Sequence, residues 1–139
     1  MSIRKFMAEV TTIVAALGFA TALVSAPAQA ADDTANPYTP EGLCGSGYYR
    51  VSSHPLTGAR VHLMYNGAYN CVVTIKSSSV GTPTQTSAAL MVDDGGGGVD
   101  TGQFSYYAGP VKAYGRDRCI KYGGYHGGTT WYSAWGYCG

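Results

Sequence analysis

Three histidines, His54, His62 and His126, are the side chains best suited to proton transfer or metal ligation near neutral pH. No two of them stand at a metal-ligand spacing. His54 precedes Pro55 in what reads as a turn, His62 falls on the outer side of an alternating stretch, and His126 sits among glycines. Each reads as an ordinary solvated side chain. No serine lies in G-x-S-x-G, the motif that presents a nucleophile on a tight turn. A triad assembled from distant parts needs a cleft, for which a small domain has little room. Asp94 and Asp100 could pair for sugar hydrolysis. They flank Gly95–Gly98, however, and a polyglycine run holds no fixed separation. Asp93, Asp94 and Asp100 could hold calcium weakly, yet DDGGGGVD follows neither EF-hand nor nonapeptide-repeat spacing. The chemistry-bearing residues therefore argue against an enzyme and call for no cofactor and no metal.

Aromatic residues carry more. Residues 31–139 hold all 12 tyrosines and both tryptophans. If 129–135 is one strand, Trp131 and Trp135 share a face and both indoles point the same way. Two aligned indoles suit stacking on sugar rings or on a protein partner, and suit a strand core equally well. Gly123, Gly124, Gly127 and Gly128 surround Tyr125 and predict a mobile aromatic turn. With Tyr107, these residues form the candidate binding set: Trp131, Trp135, Tyr125 and Tyr107.

The N-terminus decides where such a surface would work. Arg4 and Lys5 precede an apolar run, TIVAALGFATALV (12–24), then Pro27 and Ala28-Gln29-Ala30. That is the layout of an export signal, cut after Ala30. The run is shorter than the ~20 residues of a bilayer span, so no stable membrane insertion is expected after cleavage. All four cysteines, Cys44, Cys71, Cys119 and Cys138, follow the cut, and an even count in an exported chain predicts two disulfides. Nested pairing (44–138, 71–119) and local pairing (44–71, 119–138) both remain open, with a slight preference for the local one. Beyond the cut, Arg50, Arg60, Lys76, Lys112, Arg116, Arg118 and Lys121 balance Asp32, Asp33, Glu41, Asp93, Asp94, Asp100 and Asp117. Such balance gives no pull toward nucleic acid or an anionic membrane. Lys112, Arg116 and Arg118 would share one solvated face if their segment were a strand.

These residues need elements to position them. Residues 31–43, with Pro37 and Pro40, read as an extended arm from which Tyr38 could dock. Residues 44–139 read as one domain of short strands. Strands are expected at 48–53, 60–65, 69–76, 87–92, 104–107, 111–114, 119–122 and 129–135, with 54–58 a turn and 77–86 a loop. Asn66-Gly67 between two alternating runs is the best hairpin signal. The glycine run 95–98 is expected outside any element. Together these features predict an all-β fold, a small antiparallel β-sandwich or barrel with two disulfides.

The stretches NPYTPEGLCGSGY (36–48), YNGAYNCVVTIK (65–76), YYAGPVKAYGRDRCIKYGG (106–124) and WYSAWGYCG (131–139) resemble the spore-associated protein A family of Streptomyces and related actinomycetes. The likeness spans nearly all of 36–139, including every cysteine. It implies a small exported protein found with the spore surface, and it transfers no catalytic or ligand-binding residue. The combined expectation is a secreted, non-enzymatic protein that associates with the cell or spore surface. Its partner there would be a polysaccharide or a protein. The competing expectations are a carbohydrate-binding module and a secreted protease inhibitor presenting the loop 77–86 or 93–103.

Overall fold

Alternation of apolar and polar side chains builds eight strands after one helical turn, in the order α1 (Pro40–Cys44), β1 (Tyr49–Leu56), β2 (Ala59–Tyr65), β3 (Tyr69–Lys76), β4 (Thr84–Val92), β5 (Gly97–Phe104), β6 (Tyr107–Tyr114), β7 (Ile120–His126) and β8 (Thr129–Tyr132). The computed structural model describes residues 35–139. The expected leader, 1–30, and residues 31–34 of the expected arm lie outside the described residues. The strands form two four-stranded sheets, β1-β2-β3-β6 and β5-β4-β7-β8, and neither closes into a barrel. The architecture is thus the sandwich of the two expected forms. Every strand pairing is antiparallel.

The core lies between the sheets. Val61, Leu63 and Val72 of the first sheet meet Ala88, Leu90, Ile120 and Tyr122 of the second. The Tyr122 hydroxyl donates across the core to Ser52 Oγ at 2.9 Å, which lets a phenol occupy an otherwise apolar layer. The first sheet also has an apolar outer face, where Met64, Cys71 and Val73 are covered by Cys44 and Leu43 of α1. A helix of five residues is marginal alone. Thr39 caps it by accepting from the Gly42 N–H at 3.1 Å, Pro40 occupies the first turn, and the Cys44–Cys71 disulfide ties it down. The expected extended arm therefore turns helical from Pro40. Its extended part docks, because Asn36 donates to the Lys76 and Tyr106 carbonyls at 2.9 and 2.8 Å. Cys119–Cys138 forms the second bridge, so the pairing is local, with sequence separations of 27 and 19.

Glycine separates the expected elements from the observed ones. The run 95–98 does not lie wholly outside an element: Gly97 and Gly98 begin β5. A Cβ at Gly97 would lie 2.0 Å from the Leu90 carbonyl oxygen, so close backbone approach demands glycine there. Likewise, Gly123 and Gly124 form the centre of β7, a buried strand rather than a mobile turn. A Cβ at Gly124 would meet Ser87 O at 2.6 Å and Thr74 Oγ1 at 2.7 Å. Only Gly127 and Gly128, both at positive φ, make the turn to β8. Residues 104–107, expected as one strand, are divided: Phe104 ends β5, Tyr107 begins β6, and 105–106 make the turn between them. The His54-Pro55-Leu56 stretch, expected as a turn, completes β1, where an edge strand tolerates a proline.

The histidines also differ from expectation, since His62 and His126 are buried. His126 is hydrogen-bonded to Thr57 O at 2.7 Å and to Thr84 Oγ1 at 3.2 Å. The His54 ring stacks on Trp131 with centroids 3.8 Å apart. The basic cluster divides as well, because β6 ends at Tyr114. Lys112 donates to Cys44 O, Arg116 to Gly67 O, and Arg118 lies 3.9 Å from both Asp93 and Asp94.

Candidate functional site

The two outer faces of the sandwich are unequal. The face of β1-β2-β3-β6 is covered by α1, whereas no described element covers the face of β5-β4-β7-β8. Strand register fixes which residues stand on that open face. Ala88, Leu90 and Val92 of β4 point into the core, so Gln85, Ser87, Ala89 and Met91 point outward. Their partners share that side: Gln103, Thr101 and Val99 on β5, and Tyr125, Gly123 and Lys121 on β7. Opposite Gly123 and Tyr125 stand Tyr132 and Thr130 of β8.

The middle of the face is made of small residues, Ser87, Ala89 and Gly123, and aromatic rings lie at one side. Tyr132 spreads over the glycine, since a Cβ at Gly123 would lie 2.8 Å from its ring Cγ. Lys121 Nζ sits 5.8 Å from the centroid of the same ring. On the other side runs a polar ladder: Gln85 Nε2 donates to Thr101 Oγ1 at 2.9 Å, and Gln103 Nε2 donates to Gln85 Oε1 at 3.0 Å.

Trp131 and Trp135 part company here. Backbone pairing joins Gly123 to Tyr132 but Ile120 to Gly136, so the strand opposite β7 carries one extra residue. A one-residue shift sends everything beyond it to the other face. Trp131 consequently turns inward, stacked on His54 and edge-on to Tyr122 with centroids 5.2 Å apart. Trp135 emerges outside and is 52% exposed. It lines a groove of about 730 Å³ with Met91, Val92, Asp93, Gly95, Gly96 and Cys119, at the end of the open face. The groove is braced. Gly136 exchanges both backbone hydrogen bonds with Ile120, Asp93 Oδ2 accepts from the Cys119 N–H at 3.1 Å, and Cys119 is bridged to Cys138.

Of the four expected binding residues, Tyr125 and Trp135 therefore fall on one face and Trp131 in the core. Tyr107 lies on the other sheet, beside Tyr38, with ring centroids 4.8 Å apart. The expected binding set left out Tyr132, Lys121 and the Gln-Thr ladder. Gly127-Gly128 between Tyr125 and Thr130 was the signal for them, a two-residue hairpin turn that places Tyr125 and Thr130 side by side. Among the described residues, no three His, Cys, Asp or Glu side chains are grouped to hold a metal ion.

Comparison with known proteins places the chain. It is 40% identical over 131 residues to spore-associated protein A of Streptomyces coelicolor, an alignment covering 91% of this chain and 81% of that protein. The chain belongs to the spore-associated protein A family. No family model matches it, and no solved structure matches it. For this family member, then, the open face and its groove must be interpreted from their own chemistry. The outer face bears three exposed or half-exposed rings, Lys121 and the side-chain amides of Gln85 and Gln103, and so sets aromatic rings beside hydrogen-bond donors and acceptors.

Proposed function

We propose that this is a secreted, non-enzymatic protein of the cell or spore surface, and that it holds polysaccharide on the outer face of β5-β4-β7-β8. The observation carrying the reading is the gathering of Tyr125, Tyr132 and Trp135 on the one sheet face that no described element covers. The relative's name, which associates it with spores, supports the location. A non-enzymatic role fits His126, whose two ring nitrogens are committed to Thr57 O and Thr84 Oγ1. The protease-inhibitor alternative is weakened at 93–103, most of which is β5 paired along β4, and rests on the segment 77–83 alone.

Retention of the cleaved protein on insoluble chitin, cellulose and peptidoglycan tests the reading. Saturable retention on one of them supports it. Retention on none, at concentrations where the protein still binds whole spore walls, removes polysaccharide as the partner and leaves a surface protein.

A further inference from the structure

A second recess lies away from the open face, where the N-terminal arm crosses the mouth between β5 and β6. It has a volume of about 380 Å³ and is lined by Tyr38, Asp100, Phe104, Ser105, Tyr106 and Tyr107. Three tyrosine rings form its wall. Tyr38 stands 5.4 Å from Tyr106 and 4.8 Å from Tyr107, tilted by 59° and 63°, so the three rings pack against one another at an angle. Asn36 holds the arm in place through the Tyr106 and Lys76 carbonyls.

Asp100 gives the recess its charge. Register places it on the inward side of β5, opposite Ala88, where a strand of a sandwich ordinarily carries an apolar residue. Its Oδ2 accepts from the Gly109 N–H at 2.8 Å. No basic side chain of the described residues forms a salt bridge with it. Lys76 of β3 comes near the recess but is committed to backbone acceptors, since its Nζ donates to Thr82 O and Phe104 O. The half-buried Asp100 carboxylate has one neutral donor and no salt-bridge partner among the described residues, in a recess lined by three tyrosines, and the nearby Lys76 ammonium is held by the Phe104 carbonyl instead of pairing with it. Aromatic faces and a carboxylate together are how proteins recognise ammonium groups.

We infer that the recess formed by Tyr38, Tyr106, Tyr107 and Asp100 binds an alkylammonium group. Two sources share this chemistry, the amine of a de-N-acetylated amino sugar and the side chain of a lysine. The site is separate from the open sheet face and does not depend on polysaccharide binding there.

Chemical-shift titration of the cleaved protein with tetramethylammonium and choline, against the neutral choline isostere 3,3-dimethylbutan-1-ol, reads the site directly. The expected result is saturable binding of both cations with Kd of roughly 1–10 mM, shifts centred on Tyr106 and Tyr107, and binding of the isostere weaker by tenfold or more. Asp100→Asn keeps an acceptor for the Gly109 N–H, so the fold should persist while cation affinity falls at least tenfold. Tyr106→Leu, at an exposed ring, should do the same. Glucosamine and Nα-acetyl-lysine amide then distinguish the sources by which binds more tightly, with N-acetylglucosamine as the uncharged control. Equal binding of the neutral isostere, unchanged affinity in folded Asp100→Asn, or no cation binding up to about 50 mM would overturn the inference.

Discussion

His62 offers a test of the covered face that needs no ligand. It lies on β2, 8% exposed, on the side of the sheet that α1 covers. Burial, reinforced by the nearby positive charges of Arg50 and Arg60, lowers its pKa from 6.5 to about 4. The folded protein thus keeps the imidazole neutral across a range in which the unfolded chain protonates it. Between pH 6.5 and 4 the unfolded state binds more protons, so stability falls as the pH drops through that window. Above it both states are neutral and the stability is fully present, and below it both are protonated and the loss saturates. Spanning the window from 6.5 to about 4, at 1.36 kcal/mol per pH unit, the loss is at most about 3 kcal/mol. For a domain of this size that is a fall in Tm of roughly 10–20 °C. Glu41, whose carboxyl is held below its ordinary value of 4.5 by the hydrogen bond from Arg50, adds its own acid loss as the pH falls past 4.5, overlapping the lower end of this window. Urea unfolding at intervals from pH 7 to 4 measures the slope, and His62→Leu should flatten it. Parallel pH dependence in wild type and His62→Leu would refute the assignment of the slope to this buried imidazole.

Three further outcomes follow from particular contacts. Replacing Cys119 and Cys138 by Ser should cost about 3 kcal/mol in a chain-entropy estimate for this loop, and should also weaken surface retention by loosening Trp135; thermal unfolding and pull-down separate the two effects. Gly124→Ala should destabilise by roughly 2 kcal/mol or more, because its Cβ would press on the Ser87 carbonyl, whereas Gly128→Ala, in open space at φ 82°, should cost only about 1 kcal/mol; paired denaturation curves check the ratio. Lys76→Met should cost roughly 2–4 kcal/mol, since the buried ammonium satisfies the Thr82 and Phe104 carbonyls and its loss orphans both, and a denaturant midpoint lowered at unchanged slope would register it.

Local signals in the chain were legible where physics is local. The hairpin β2–β3 follows from two alternating runs around Asn66-Gly67, and β3 spans the expected 69–76. The short helix was signalled too, by Thr39-Pro40-Glu41, but two prolines in a polar stretch favoured an extended reading. Glycine was misread because its cost in chain entropy is visible in a sequence, whereas the close approach that requires it is not. Gly97, Gly123 and Gly124 lie in strands for the sake of neighbours on other strands, namely the Leu90 carbonyl, the Tyr132 ring and Thr74. The site was legible by residue type and not by face. Tyr125 and Trp135 were chosen for their rings, yet the pairing of Trp135 with Trp131 assumed unbroken alternation through 129–135. One extra residue opposite β7 reversed it, and such an irregularity has no composition cue. The local disulfide pairing likewise depended on where the strand ends meet. His62 looked solvated because nothing in its own strand announces that α1 lies over it.

The claim that matters most is that the protein works through one face of the sandwich. Matched single substitutions on the two sides test it: Trp135→Ala and Tyr132→Ala on the open face, against Tyr69→Ala and Tyr114→Ala, an exposed aromatic pair with centroids 5.5 Å apart on the opposite sheet. The measurement is the half-saturation concentration for retention on purified spore walls, with Tm recorded for every variant. The account predicts at least a tenfold weakening for Trp135→Ala and Tyr132→Ala at near-native Tm, and wild-type retention for Tyr69→Ala and Tyr114→Ala. Loss of retention in the second pair with none in the first would contradict it, and would move the working surface to the helix-covered side.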